Sequence, residues 1–229
     1  HNLILLAGAG AGILTLSLGF AAALHRRVRG ANLYRAAYFF PNILAAVAVA
    51  LLWVLLYSTT GFGIVNAALA RLQDLTGANW TLPFPFLDSR YLIFSIIPMI
   101  IWAATGFYMV LFLAAMGAIP ETFYEAARLD GATPWQQFRH ITLPLIRETL
   151  LTGIIFLLIT SMKFFDPIWV MENQRPSRDS HVLATLLYQK VFTEYNIGYG
   201  AAVAVMLFLI VFTATLFTLR FSQKERMEY

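Results

Sequence analysis

Two ionisable side chains, Lys163 and Asp166, interrupt the otherwise apolar stretch formed by residues 149–170. A charge at the centre of a bilayer costs roughly 2.5–3.5 kcal/mol on insertion scales, so such residues often serve the movement of ions or solutes. Their spacing would let them pair on one face of a helix. Pro167 favours a position near the outer end of that helix. The pattern predicts an anchoring pair at the interface, with a place along a solute path as the alternative.

The sequence contains no recognisable catalytic or metal-binding pattern. His25, His140 and His181 lie far apart, and none has the H-E-x-x-H spacing of a zinc site. There is no cysteine for a disulfide or a thiolate ligand, and no G-x-x-x-x-G-K-[ST] loop to hold nucleotide phosphates. We therefore predict a non-catalytic chain that binds no metal or cofactor.

The polar segment EAARLDGATPWQQFRHITLPLI, residues 125–146, lies between two long apolar runs. Pro120, shortly before it, suits the first turn of a helix, where its missing N–H costs nothing. We expect this helix to extend to about Leu129. Gly131 can then take the left-handed conformation that ends a helix without a Cβ penalty.

A second helix is predicted to begin directly after this turn. Thr133 and Gln136 have the spacing of a capping box, and Pro134 would be the first helical residue. Pro144 should later stop or kink the helix, because it lacks an amide hydrogen. Residues 120–146 are therefore predicted to form a helix, a tight turn and a second helix.

The first of these helices is amphipathic. One side carries Phe123, Ala126, Ala127 and Asp130, and the other carries Glu121, Glu125 and Arg128. Small alanines allow another backbone to come close, and an amphipathic helix can insert into a groove on a partner. A docking helix and an ordinary loop packed against its own protein both remain open at this point.

The composition indicates a membrane protein that positions this segment between spanning helices. Of the 229 residues 59% are hydrophobic and only 12% are charged, whereas a soluble domain carries about 25% charged residues. Runs of roughly 17–25 apolar residues are long enough to cross a bilayer as helices. The five runs of this length are Leu3–Leu24, Ala36–Tyr57, Leu92–Ile119, Thr149–Val170 and Ala201–Leu219.

The distribution of cations predicts the orientation of these spans. Placing the HRRVRG turn in the cytoplasm puts ten Lys and Arg residues on that side and five outside, as the positive-inside rule favours. The ten are Arg26, Arg27, Arg29, Arg35, Arg128, Arg139, Arg147, Arg220, Lys224 and Arg226. Residues 120–146 and the C-terminus would then be cytoplasmic. The start at His1, without Met or a signal peptide, suggests one domain over residues 1–229 that lacks its N-terminal part.

The two predicted outer loops also contain helical patterns. In the first, apolar residues recur at helical spacing and predict a short helix along the membrane surface. They are Val65, Ala68, Leu69, Leu72 and Leu75. Trp80, Phe84 and Phe86 are typical of the aromatic belt. In the second loop, Ser180 could cap a helix that begins near Val182.

The polar segment resembles the EAA motif of the membrane subunits of binding-protein-dependent ABC importers. The match consists of EAA, three residues, Gly131, nine residues and ITLP, with every fixed position present. Nearly the whole chain is similar to this family. The stretch that ends in LYRAAYFFP resembles the family's early core spans. The subgroup that imports sugars and glycerol phosphate esters is resembled by LLWVLLYSTTGFGIVNAAL, FDPIWVM and VFTEYNIGYGAAVAV. The chain differs in lacking an earlier span, and in having NQRP at 173–176 where that subgroup often has Gly-Gly-Pro.

The resemblance implies an all-α polytopic membrane helical bundle of about five spans with a cytoplasmic coupling loop, a MetI-like permease core. It implies two membrane subunits, usually a heterodimer, with an external solute-binding protein and two cytoplasmic ATPase subunits that bind ATP and Mg. The coupling loop would dock on the ATPase through Glu125, Ala126, Ala127 and Gly131, with Asp130 beside the turn. Ile141, Leu143 and Pro144 would tie that core to the spans.

Two other functions remain as alternatives. An amino-acid or peptide importer of the same superfamily would differ only in cargo. A nucleotide-independent secondary transporter or channel would work through Lys163 and Asp166, but the sequence shows no inverted repeat and no obviously broken helix pair. Trp102, Thr105 and Tyr108 in the third span could line a sugar path, although such residues more often pack one helix against another.

Overall fold

The computed structural model describes residues 1–25 and 30–223, and these residues form α-helices and connecting segments without a β-strand. Two short segments, Phe138–Thr142 and Gln189–Thr193, are π-helical. The helices are α1 Asn2–His25, α2 Ala31–Ile43, α3 Ala46–Leu56, α4 Ile64–Thr76, α5 Ser89–Gly117, α6 Glu121–Leu129, α7 Pro134–Gln137, α8 Leu143–Leu145, α9 Arg147–Met162, α10 Asp166–Met171, α11 Leu183–Tyr188 and α12 Ile197–Gln223.

The all-α membrane class predicted from composition is confirmed. Four helical stretches in the described residues are long and apolar enough to span a membrane, or five if one bent pair counts as a span. They are Asn2–His25, Ser89–Gly117, Arg147–Met171 and Ile197–Thr218. The protein is therefore a multi-pass membrane protein. Arg26, Arg27, Arg29, Lys224 and Arg226, which the orientation prediction uses, lie outside the described residues.

The second predicted span, Ala36–Tyr57, is not one straight helix. It is divided between α2 and α3, which meet at an angle of 96°. Pro41 explains the break, because it cannot donate a hydrogen bond to the preceding turn and its ring clashes with that turn. Helix α2 ends two residues later, and Ala45 takes an extended ψ of 136° before α3 begins. The expectation that no helix pair is broken is therefore wrong.

The fourth predicted span, Thr149–Val170, is confirmed as part of the candidate span Arg147–Met171, but its helix is interrupted. Helix α9 ends at Met162, residues 163–165 are non-helical, and α10 begins at Asp166. Lys163 thus lies in the interruption and Asp166 directly after it, so the two residues do not share a helix face. Both side chains are exposed, and no ion pair joins them in the described part of the chain.

The chain forms two compact units, and the first consists of His1–Ala9, Leu44–Ile100 and Ser161–Leu207. Within it α10 packs against α3, and the Tyr57 hydroxyl donates to the carbonyl oxygen of Ser95 at 2.7 Å. The predicted outer helix is present as α4. The buried Asn66 fixes it, since its amide donates to the Ser58 and Phe84 carbonyls at 3.2 Å each and its oxygen accepts from the Phe84 amide at 2.8 Å.

The second outer loop differs from its prediction. Its helix α11 begins at Leu183, and the Thr185 hydroxyl, not Ser180, accepts from the Val182 amide at 3.0 Å. Ser180 is occupied by a local turn, where its hydroxyl accepts from the Ser177 amide at 3.0 Å. A serine two residues before the first candidate apolar position is therefore not sufficient to identify a cap.

The second unit consists of Gly10–Ile43, Ile101–Thr160 and Phe208–Tyr229. Its core is close-packed around Phe112, Met109 and Met116, which are fully buried on α5. The Ser17 hydroxyl of α1 donates to the carbonyl oxygen of Thr105 at 3.0 Å. This unit also contains residues 120–146, which connect α5 to α9.

Candidate functional site

Helix α6 has charges that stabilise both of its ends. Glu121 lies in the first turn and Arg128 in the last, where each opposes the helix dipole. The two side chains form an ion pair, and the Arg128 Nε donates to the carbonyl oxygen of Tyr124 at 3.1 Å. Pro120 is the N-cap residue, one position before the first helical residue. The predicted helix is therefore confirmed, and its first helical residue is Glu121, one position after Pro120.

The turn after α6 depends on Gly131. Its φ is +77°, in the left-handed region that glycine adopts without strain. The Ala132 amide donates to the Ala127 carbonyl at 2.9 Å and the Gly131 amide to the Arg128 carbonyl at 3.1 Å. These two bonds define a Schellman motif, which satisfies carbonyls at the end of the helix.

The second helix begins with the predicted capping box. The Thr133 amide donates to Gln136 Oε1 at 2.7 Å, and the Gln136 amide donates to Thr133 Oγ1 at 3.4 Å. Pro134 is the first helical residue, and the Gln137 side chain donates to the carbonyl oxygen of Ala132 at 3.0 Å. The turn between α6 and α7 is therefore tight because both helix ends are capped within it.

Around Pro144, where a stop or a kink is predicted, the second helix is irregular and ends at Leu145. It widens into the π-helical segment Phe138–Thr142, in which the Leu143 amide donates to the carbonyl of Phe138, and α8 contains Pro144 near its start. Pro144 has no amide hydrogen to donate, and it lies where the backbone hydrogen-bond pattern already changes from π-helical to α-helical. Ile141 and Leu143 are half-buried, while Pro144 is exposed.

A buried hydrogen bond joins the two arms of this loop. Tyr124 of α6 and Thr142 at the end of the π-helical segment are both buried, and their hydroxyl oxygens lie 2.9 Å apart. The Tyr124 ring also lies 5.8 Å from the imidazole of His25 at the end of α1. Sequence reasoning missed both residues. One signal in the sequence pointed to Tyr124: it lies three residues before Ala127, so the two residues share one face of α6.

The opposite surface of the loop is exposed and partly apolar. Leu129 is 89% exposed, Trp135 65% and Phe123 49%. Glu125, Ala126 and Asp130 are also exposed, whereas Ala127 is half-buried. Large exposed apolar residues beside charged ones are typical of a protein-binding surface. We name the surface formed by Phe123, Glu125, Ala126, Leu129 and Trp135 the loop surface.

Comparison with known proteins identifies the family. Residues 15–227 match the family model of the binding-protein-dependent transport system inner membrane component. The chain belongs to this family. It is 33% identical to the diacetylchitobiose uptake system permease protein NgcF of Streptomyces coelicolor, covering 89% of this chain and 60% of that protein. It is 31% identical to the trehalose/maltose transport system permease protein MalF of Thermococcus litoralis, covering 92% and 69%.

The fold of this permease is also that of a solved importer. It matches the crystal structure of a bacterial ABC transporter involved in the import of the acidic polysaccharide alginate, with a TM-score of 0.80. The match covers 97% of this chain and 77% of that one at 23% identity, and therefore concerns the fold alone. It is the family match over residues 15–227, together with the permease relatives, that makes this protein a permease subunit of an ATP-driven importer.

The side chains proposed for the permease's solute path do not form a polar cluster in the third span. Thr105 is buried, and its hydroxyl donates to the Ile101 carbonyl of its own helix at 2.5 Å. Tyr108 is buried between the rings of Phe107 and Phe112, with centroids 5.2 and 6.4 Å away. Trp102 is 40% exposed. Thr105 and Tyr108 therefore contribute packing in this chain, and the path assignment stays a prediction.

Proposed function

We propose that this permease imports a carbohydrate and that the loop formed by residues 120–146 couples it to a separate ATPase subunit. The observation that carries the coupling role is the division of the loop into two faces. One face is buried through Tyr124 and Thr142, and the other presents Leu129 and Trp135 to solvent. A helix that is fixed on one side and apolar on the other fits a groove in a partner.

Within this proposal the loop surface is the part that enters the ATPase. Glu125 and Ala126 are directly accessible, and Asp130 and Gly131 shape the turn beside them. Ala127 is half-buried, unlike Glu125 and Ala126. We therefore assign Ala127 to close packing of α6 against its own chain, and the contact with the ATPase to its neighbours.

Ile141, Leu143 and Pro144 would connect the loop to the spans. Ile141 and Leu143 are half-buried, and the fully buried Ile146 follows them directly before α9 begins. A displacement of the loop would reach α9 through these residues. ATP and Mg would be held by the ATPase, and this chain would contribute no catalytic group.

The complete importer in this proposal has five subunits or more. Two permease subunits, this one and a related partner, would form the path, two ATPases would lie in the cytoplasm, and a solute-binding protein would deliver cargo outside. ATP binding would close the ATPases and draw the coupling loops together, so that the path opens to the outside. The loop and the C-terminus would be cytoplasmic.

A carbohydrate cargo is supported by the two permease relatives, whose names refer to diacetylchitobiose and to trehalose and maltose. The test is uptake by vesicles that contain the full-length permease with its partner subunit, ATPase and binding protein. We expect ATP-dependent accumulation of at least one radiolabelled sugar among trehalose, maltose and diacetylchitobiose. Glutamate and a tripeptide serve as controls.

Uptake of the amino acid or peptide instead of any sugar would assign the permease to the other cargo class. Equal uptake without ATP would contradict the coupling role and favour a secondary transporter. Adding the ATPase in a form that cannot hydrolyse ATP provides the matched control, since it preserves the assembly and removes only the energy source.

A further inference from the structure

The buried contact between the two arms of the coupling loop is not part of its exposed surface. Tyr124 is 7% exposed and Thr142 is 4% exposed, so neither side chain can form much of a contact with another protein. Their hydroxyl oxygens are 2.9 Å apart, and 18 residues separate them along the chain. The hydrogen bond therefore joins the two arms on the buried side of the loop.

The two residues belong to elements with different roles. Tyr124 is in the centre of α6, and its carbonyl oxygen accepts from the Nε of Arg128, whose Nη2 forms the ion pair with Glu121. Thr142 is the last residue of the π-helical segment, and its carbonyl oxygen accepts from the amide of Ile146 at 3.0 Å. Ile146 is in turn the residue before α9. The bond therefore connects the helix with the exposed surface to the start of a spanning helix.

The π-helical segment provides a local reason for the position of Thr142. A π turn contains more residues than an α turn, so it changes the direction in which the following side chains point. Such turns occur often at functional sites. Here Thr142 is the last residue of the wider turn and is buried. Arg139 and His140 of the same segment are exposed.

The turn between the arms could not hold them together alone. It consists of the Gly131 motif and the Thr133 capping box, and all its side chains up to Gln136 except the half-buried Ala132 are exposed. Hydrogen bonds in such a position compete with water, whereas a buried hydroxyl pair does not. The Tyr124–Thr142 bond is thus a hydrogen bond between α6 and the π-helical segment that is protected from solvent.

We propose that Tyr124 and Thr142 are positioning residues that make the coupling loop move as one body, so that a force on α6 reaches α9. This inference rests on the proposed coupling function. Without the bond, α6 would still dock but could rotate on the turn while α9 stayed in place. ATP hydrolysis would then continue with less transport.

The test measures the distance between the arms and the coupling of the complex in the same preparations. Because the chain has no cysteine, Thr122→Cys and Glu148→Cys place two spin labels on exposed positions of α6 and α9. We expect one narrow distance distribution in the full-length permease complex, unchanged between the nucleotide-free and the ATP-bound state. Tyr124→Phe and Thr142→Val should each broaden or shift it when ATP binds.

Thr142→Ser is the matched control, since it keeps the hydroxyl and should preserve the narrow distribution. The double variant should be no worse than either single one, because both remove the same bond. ATPase copurification should be unchanged, while sugar uptake per ATP hydrolysed should fall several-fold in the Phe and Val variants and not in the Ser variant.

Unchanged distances and unchanged uptake per ATP in both Tyr124→Phe and Thr142→Val would overturn the proposal. Loss of ATPase copurification in both would also overturn it, because the pair would then act in docking. Failure of the proposed function gives a different result: the unmodified permease itself would not bind the ATPase.

Discussion

Gly131 is the residue whose backbone the coupling loop depends on most. A Cβ at this position would meet no atom within 4 Å, so a substitution there acts through φ = +77° and not through crowding. A β-branched residue is strained in the left-handed region by roughly 1–2 kcal/mol. Gly131→Val should therefore weaken ATPase copurification and transport, while Gly131→Asn, which tolerates this region, should retain most of both.

Because Val and Asn differ in how well they tolerate a positive φ, the comparison of these two variants tests the backbone conformation at residue 131. Equal transport by Gly131→Val and the unmodified permease, at equal amounts in the membrane, would show that the turn geometry is not needed.

Glu125 is an exposed carboxylate on α6 without an ion-pair partner among the described residues. Reversing its charge should leave the fold intact, because no internal contact is lost. If α6 enters a cleft on the ATPase, however, Glu125→Lys should reduce copurification of the ATPase several-fold. Buried charges at an interface are costly when their partners do not match.

Glu148→Lys provides the control, as it makes the same charge change at an exposed position on α9. A similar reduction in both variants would indicate a general effect of charge and would remove Glu125 from the interface.

At the scale of residues, the sequence predicted those that form the turn after α6. It did not predict the pair that holds the two arms of the loop together. Gly131, Thr133 and Gln136 follow local rules of capping, which depend on neighbours in the chain. The Tyr124–Thr142 bond joins residues 18 positions apart and depends on a π-helical segment. No local pattern specifies where such a turn occurs.

At the scale of elements, a close backbone contact between helices of the second unit occurs at Gly106 of α5. A Cβ there would overlap the carbonyl oxygen of Tyr38 on α2, so the two backbones touch directly. Small residues permit such contacts between membrane helices. Gly106→Ala should lower the yield of folded permease, since overpacking costs about 1–3 kcal/mol.

Gly117→Ala on the same helix is the control, because a Cβ at Gly117 meets nothing within 4 Å. Folded yield is measured by size-exclusion chromatography of the detergent-solubilised complex. Equal yields for the two alanine variants would contradict the close α2–α5 contact.

The helices that the sequence predicted well are those set by a long apolar run without interruption. Helices α1, α5 and α12 include most of their predicted spans. The fourth run is also a candidate span, Arg147–Met171, although its helix is interrupted at residues 163–165. The second run fails as one straight span at Pro41, where the sequence stays apolar while the helix pair bends by 96°. Hydropathy does not register such bends, because it measures transfer into lipid and not helix geometry.

For the whole molecule, length and composition were sufficient to predict an all-α membrane protein, because only helices satisfy the backbone over runs of this length in lipid. The family match over residues 15–227 agrees with the resemblance carried by the EAA motif. Orientation is a property of the molecule in its membrane, and it rests partly on Arg26, Arg27 and Arg29, which lie outside the described residues.

The central claim is that an exposed cytoplasmic loop of the permease docks on its ATPase, and cysteine labelling tests it most directly. A single Cys replaces the exposed Ala126 in the full-length permease, since residues 1–229 contain no cysteine and any cysteine elsewhere is first replaced. Asn79→Cys, exposed in the loop after α4, is the control for the other side. We predict that a membrane-impermeant maleimide labels Ala126→Cys only from the cytoplasmic side and that coexpressed ATPase blocks it. Asn79→Cys should be labelled only from outside, with or without the ATPase. Labelling of Ala126→Cys from outside, or equal labelling with and without the ATPase, would contradict the account.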